Sequence, residues 1–246
     1  MTETTVDVYQ LYYRMLRIRR IEEAIAEHYR QQEMRCPTHL CIGQEAIAVG
    51  ICAHLNVEDK VFSNHRGHGH YLAKGGDLRR LLAELYGFAE GCSGGRGGSM
   101  HLTDPAAGFI ASTPIVGGTV PLACGYAWAE QIKKTGNVVV IFFGDGCFEE
   151  GVLHETMNFA VLKKLPLLFV CENNQYSVMT PLAERQPERE IYKIALAHGM
   201  QAVNGDGNRV DQVYTLAQSA VAKLRSGFGP QFSRRIHKTV QSNSTV

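Results

Sequence analysis

The chain has 246 residues, of which 45% are hydrophobic and 20% charged, and its formal net charge is +1. That length fits one large α/β domain with a helical extension. The near-zero charge gives no electrostatic case for nucleic acid or a membrane surface as a partner. The longest apolar runs, "VVVIFF" and "LPLLFVC", are far short of a membrane span.

Taken in chain order, apolar residues recur at Val8, Leu11, Met15, Ile18, Ile21, Ile25 and Tyr29, which predicts a helix with one buried face from Asp7 to about Met34. "GQEAIAVGICAHL" predicts a second helix, and the turn-rich "NVEDKVFSNHRGHGHYLAKGGD" follows it. Another helix, "LRRLLAELYG", leads into a loop punctuated by Gly87, Gly91, Gly94, Gly95, Gly97 and Gly98. After Ala111 the text alternates: a helix rich in small residues over "GGTVPLACGYAWAEQIKK", the strand "VVVIFF", a helix from Glu149 to Lys163, and the strand "LPLLFV". The helices "IYKIALAHG" and "VDQVYTLAQSAVAKLRSG" come last, with a strand near "MQAV" between them. Continuous apolar strands separated by helices predict an α/β fold, a parallel sheet covered on both faces. The expected division is an N-terminal helical extension over 1–60, an α/β domain over 61–232 and a divergent tail over 233–246.

The seven cysteines are scattered, odd in number and free of C-x-x-C, as expected of reduced thiols in a cytoplasmic chain. The start "MTETTVDVYQ" lacks the basic-then-apolar pattern of a signal peptide. Zinc at "CPTHLC" would use Cys36, His39 and Cys41 but lacks a second ligand pair. A histidine cluster of His65, His68 and His70 would have to tolerate the Arg66 cation.

The chemistry concentrates between Gly144 and Ser177. An acid placed at a buried strand end is costly unless charge or hydrogen bonds offset it. Ligands of a parallel sheet sit beyond the carboxyl ends of its strands, where Asp145 and the pair Asn173–Asn174 follow two successive apolar strands. A carboxylate, an amide oxygen and a backbone carbonyl are hard ligands suited to Mg²⁺ or Ca²⁺ completed by diphosphate oxygens. Backbone N–H groups of Gly146 and Cys147 at the start of a helical turn would face a phosphate. Asn173 is expected to hold the turn by local hydrogen bonds. A second copy of the tripeptide, Gly205-Asp206-Gly207, has no asparagine pair after it and predicts a turn, with Asn208 or a neighbour capping the next helix. Glu149, Glu150 and Glu155 read as a solvated helix face.

"GDG" followed by "NN" resembles the thiamine-diphosphate motif. Together with "HLCIGQEA", "HRGHG", "GGRGGSMH", "STPIVGGTVPLACG" and "LPLLFVCENNQYS" it makes the chain, from about Asp7 to Phe232, similar to the α subunit of the two-subunit E1 component of 2-oxo acid dehydrogenases, a family that includes pyruvate, branched-chain and acetoin dehydrogenases. The resemblance implies thiamine diphosphate and Mg²⁺ as cofactors. Asp145, the Asn174 side chain and the Tyr176 carbonyl would hold the metal, and Gly146 and Cys147 the diphosphate. Arg66 would neutralise diphosphate charge. His65 precedes it where the family usually has tyrosine. Backbone at Pro114 and Val116 would hold the aminopyrimidine. His39 would face the substrate, and His39 and His65 are the catalytic candidates. The resemblance also implies a β subunit in an α2β2 assembly, a lipoyl-bearing E2 partner, and a small 2-oxo acid or acetoin as substrate.

Beyond "GPQF" the family continues with a strand, a Tyr-Arg segment and a phosphate-binding histidine loop, whereas this chain reads "SRRIHKTVQSNSTV". The tail is expected to lack the strand, His237 is not given the histidine's role, and a frameshift or truncation would account for the change. A remnant that keeps the fold and binds cofactor or partner without turnover is therefore the alternative expectation. A nicotinamide-binding Rossmann domain finds no G-x-G-x-x-G between strand and helix.

Overall fold

The computed structural model describes residues 7–34 and 36–236. Its helices are α1 (Val8–Tyr29), α2 (Glu45–Cys52), α3 (His68–Lys74), α4 (Leu78–Leu85), α5 (Thr119–Lys133), α6 (Gly151–Lys163), α7 (Leu182–Arg185), α8 (Ile191–Ala197) and α9 (Val210–Arg225). Its strands are β1 (Lys60–Ser63), β2 (Phe109–Ser112), β3 (Val139–Gly144), β4 (Leu167–Asn173), β5 (Tyr176–Ser177), β6 (Thr180–Pro181), β7 (Gln201–Asp206) and β8 (Gln231–Ile236). Six strands form one sheet in the order β2-β1-β3-β4-β8-β7, with every pairing parallel. β5 and β6 form a small antiparallel hairpin apart from it.

The central strands show why their sequences lack alternation. Val140, Phe142, Leu168 and Val170 face one apolar cluster, while Val139, Ile141, Phe143, Leu167, Phe169 and Cys171 face another. Both sides of the strand are buried, so both sets of positions are apolar. The first cluster is closed by residues of α1, α2, α3, α4 and α9, the second by residues of α5, α6 and α8. Helices α2 and α9 approach closely at Gly50, where a Cβ would stand 2.7 Å from Val213. Leu11 and Ile18 of α1 share the first cluster with β3 and β4, so the N-terminal helices are packed into the same core as the sheet. Helix α1 starts at Asp7, whose carboxylate accepts the Gln10 N–H at 3.1 Å, and α4 starts on Asp77 in the same way.

Four short strands and two short helices were not anticipated: β1, β2 and α3 between Lys60 and Ser112, and β5, β6 and α7 between Tyr176 and Arg185, all too short to show a period of their own. The segment after Phe232 corrects the expectation of a tail without a strand. β8 runs to Ile236 between β4 and β7, and its backbone is paired on both sides. Arg234 is 7% exposed there because its Nη1 meets Glu190 Oε2 at 2.6 Å. His237 lies outside the described residues. Among the described residues no helix is long and apolar enough to cross a membrane.

Candidate functional site

Sheet register sets the site. Gly144 at the end of β3 stands opposite Glu172 near the end of β4, so Asp145 and Asn173 leave the sheet side by side at its carboxyl edge. A cavity of about 330 Å³ opens there. Asp145, Gly146, Cys147, Asn174, Tyr176, His39, His65, Arg66, Pro114 and Val116 all line it. All ten residues that the resemblance would put in contact with cofactor, metal or substrate thus line one space.

Asp145 opens a short 3₁₀ turn, Asp145–Glu149, that precedes α6. Its carboxylate is 1% exposed. Oδ2 is bonded to Arg185, while Oδ1 is buried with no partner among the described residues. Burial pushes the Asp145 carboxyl above the usual range, and the Arg185 guanidinium opposes that shift. Arg185 also binds Glu149, and Gln186 Nε2 reaches both the Asp145 carbonyl at 3.0 Å and Glu149 at 2.9 Å. Glu149 is exposed, as Glu150 and Glu155 are, and it is also paired with Arg185 and Gln186 beside the site. Gly146 permits close packing, since a Cβ there would stand 2.8 Å from Ser177 Oγ.

The asparagine pair divides its work. Asn173, fully buried, accepts the Gln175 N–H at 2.9 Å and so holds the turn, as expected. Asn174 lines the cavity, and its Oδ1 accepts the Tyr176 N–H at 3.0 Å. Gln175 between them takes a left-handed φ of +67°, which turns the chain into the β5–β6 hairpin. The second tripeptide copy behaves differently: Asp206 accepts the Asn208 N–H at 2.9 Å in a turn. Asn208 does not cap α9, whose N-cap position is Arg209 and which has no side-chain cap bond.

His39, His65 and Arg66 come from the segments that precede α2 and α3. The rings of His39 and His65 meet edge to face with centroids 5.0 Å apart. Burial is the main cause that lowers the His65 pKa, to about 4, with the Arg66 charge adding to it; the same two causes lower His39. Arg66 is buried and donates to the Leu40 carbonyl. His68 and His70 do not converge on a metal. His68 Nδ1 lies 2.7 Å from Glu22 and its Nε2 2.9 Å from Ser99 Oγ, whereas His70 lies 2.8 Å from Ser63 and 3.0 Å from Glu172. Ser99 Oγ in turn accepts the His39 N–H at 3.2 Å, which fixes the backbone beneath that ring. At "CPTHLC", Cys41 is buried and Cys36 contacts Thr38 and the Leu85 carbonyl, and among the described residues no three His, Cys, Asp or Glu side chains could hold a metal.

The glycine-rich loop is organised by one acid. Glu84, at the end of α4, accepts N–H groups from Ser93, Gly95, Gly97 and Gly98 at 2.6–3.1 Å. The loop is thus a folded wrap around a buried carboxylate, and it delivers Met100 to the cavity wall.

Reading the sequence missed Arg185, Gln186, Asn64 and Glu172. Glu172 carried a signal, as a charge inside an apolar strand. Asn64 donates to it at 3.2 Å. Arg185 and Gln186 carried none, because only the hairpin brings them back to Asp145 across 40 positions.

The dehydrogenase E1 component family matches residues 13–232. The α subunit of acetoin:2,6-dichlorophenolindophenol oxidoreductase from Bacillus subtilis (strain 168) is 43% identical over 220 residues, covering 89% of this chain and 66% of that protein. The pyruvate dehydrogenase E1 component α subunit of Zymomonas mobilis is 39% identical over 225 residues, covering 91% and 64%. The chain thus spans about two thirds of the length of these curated relatives. An X-ray structure from Mycobacterium smegmatis, described as a thiamin diphosphate-dependent enzyme, superimposes with a TM-score of 0.53 at 17% identity over 82% of this chain and 33% of that one. At that identity the likeness concerns the fold alone.

Proposed function

Because the chain belongs to the dehydrogenase E1 component family, we propose that it is the α subunit of a thiamine-diphosphate- and Mg²⁺-dependent E1 enzyme. In this reading it cleaves acetoin, or decarboxylates a 2-oxo acid, and passes the acyl group to a lipoyl-bearing E2. The observation that carries the reading is the cavity itself, which gathers Asp145, Asn174, Arg66, His39 and His65 at the carboxyl edge of a parallel sheet.

The residues fit both groups. Asp145 Oδ1 is a buried acceptor without a partner among the described residues, as a hard cation's ligand would be. Gly144 before it lines the same cavity and has no atom within 4 Å of where a Cβ would stand. Asp145, the Asn174 amide oxygen and the Tyr176 carbonyl would hold Mg²⁺. Backbone at Gly146 and Cys147 together with Arg66 would hold the diphosphate, and backbone at Pro114 and Val116 the aminopyrimidine. When bound, thiamine diphosphate supplies the nucleophilic carbon and the electron sink for carbon–carbon bond cleavage.

The protein's own part is orientation and proton placement. With their pKa values lowered, His39 and His65 are neutral near pH 7 and can each donate one N–H to a substrate oxygen. Acetoin is the first reading of the substrate, in keeping with the relative that is 43% identical. Pyruvate is the second reading, in keeping with the 39% relative. Exposed Ile115, Leu122 and Ile132 beside the cavity and along α5 offer apolar surface for a β subunit in an α2β2 assembly. Seven free thiols support a cytoplasmic setting.

The test is calorimetric titration of thiamine diphosphate into the chain, with and without Mg²⁺, beside Asp145→Ala. Binding is expected to need both the metal and Asp145, and binding that ignores both would refute the site. Acetoin- or pyruvate-dependent reduction of 2,6-dichlorophenolindophenol, after addition of a family β subunit, then decides the substrate.

A further inference from the structure

Arg185 is 9% exposed in its side chain, and its guanidinium bridges Asp145 and Glu149. Its Nε donates to the Thr180 carbonyl at 3.1 Å, which ties the head group to the hairpin strand β6. The neighbouring Gln186 repeats the attachment, with bonds to the Asp145 carbonyl and to Glu149. Four-residue α7 is thus pinned onto the start of the 3₁₀ turn by two consecutive side chains. The chain running into α7 is the β5–β6 hairpin, which begins at Tyr176, directly after the asparagine turn.

We propose that Arg185 competes with the divalent cation for Asp145, so that metal binding requires α7 to release the carboxylate. The inference rests on the reading of Asp145 as a metal ligand. Arg185 holds Oδ2 and leaves only Oδ1 for a dication, and a guanidinium and a dication set against one buried carboxylate repel each other. Arg185 has a second anchor in Glu149, which it keeps when it leaves Asp145. The cost of release is therefore one charge-assisted hydrogen bond rather than an unpaired buried guanidinium. Since Arg185 and Tyr176 lie at the two ends of the same short hairpin segment, the movement that frees the carboxylate also resets the carbonyl that would join it on the metal. Arg185 thereby makes cation binding and the position of 176–186 a single linked event.

The experiment measures Mn²⁺ binding to the full chain by electron paramagnetic resonance in the presence of thiamine diphosphate. Wild type is compared with Arg185→Gln, Arg185→Lys and Asp145→Asn, each first shown folded by circular dichroism. Arg185→Gln is expected to bind Mn²⁺ tighter by about tenfold or more, the factor that one charge-assisted hydrogen bond represents. Arg185→Lys, which keeps the charge, should stay near wild type. In wild type, Mn²⁺ should also speed amide hydrogen exchange over 180–186, and in Arg185→Gln it should not. Equal or weaker binding by Arg185→Gln, with Asp145→Asn still abolishing it, overturns the competition and leaves the metal site standing. Binding that survives Asp145→Asn unchanged removes the metal site and the competition together.

Discussion

Glu84 accepts the Gly97 N–H at 2.6 Å from a side chain that is 1% exposed. Three more loop N–H groups share the same carboxylate, so the conformation of residues 93–98 is written into an acid on α4. Substituting Glu84→Ala removes four acceptors at once and leaves their donors to find water inside a folded loop. The expected loss is about 3 kcal/mol or more, since hydrogen bonds to a charged group are each worth about 1.5–3 kcal/mol. Urea unfolding measures it. A loss under about 1 kcal/mol, the scale of an ordinary surface change, would mean that the loop does not depend on this acid.

The glycines of that loop are not equivalent to glycines elsewhere. Gly95 has φ +73°, and a Cβ on it would stand 2.5 Å from the Phe88 carbonyl oxygen, which is backbone and cannot swing aside. Gly136 has a similar φ of +77° but nothing within 4 Å. Gly136→Ala should therefore cost only the left-handed backbone penalty, about 1–2 kcal/mol. Gly95→Ala should cost clearly more and lower thermal stability further. Equal melting temperatures for the two variants would refute the packing argument.

The pattern of the sheet's centre was legible because burial on both faces forces apolar residues into every position of β3 and β4. So was the side-by-side exit of Asp145 and the asparagine pair, which follows from parallel register alone. β1 and β2 were not legible, being four residues each and set among glycines. β8 was misread from its polar letters. Ser233 and Arg234 are buried there because pairing on both sides satisfies the backbone and Glu190 takes the arginine. The Arg185–Asp145 contact was out of reach for another reason: it depends on where a hairpin returns in space, which no periodicity encodes.

The lowered histidine on the cavity wall makes a pH prediction with a definite sign. His65 has a folded pKa of about 4 against an ordinary value of 6.5, with burial the first cause. As pH falls from 6.5 towards 4 the unfolded chain takes up a proton that the folded chain refuses, so stability falls across that window and this contribution levels off below it. Carboxylates titrate in part of the same range, so the readout is the difference between wild type and His65→Gln in urea unfolding at pH 7 and pH 5. Wild type should lose more stability than the variant between those two pH values. Equal losses would show that His65 is free to protonate in the folded protein.

Thiol reactivity tests which part of Cys147 serves the site. Its side chain is buried at the start of the 3₁₀ turn, and burial pushes the thiol up to about 12, with Glu150 adding to the shift. Cys52 is also pushed to about 12 and Cys124 to about 11, while Cys41 and Cys171 go well above the ordinary value, in each case chiefly through burial. Cys36 is the one thiol of the seven that is half-buried rather than buried. Only the thiolate attacks an alkylating reagent, so at pH 8 iodoacetamide should modify Cys36 first and leave Cys147 intact over the same interval. Mass spectrometry of tryptic peptides reads the order. Early modification of Cys147 would place a reactive sulfur against Asp145, and its contribution to the site could no longer be confined to backbone N–H. Protection of Cys147 alongside unimpaired diphosphate binding by Cys147→Ala would instead show that the position serves through its main chain and through packing beneath Asp145.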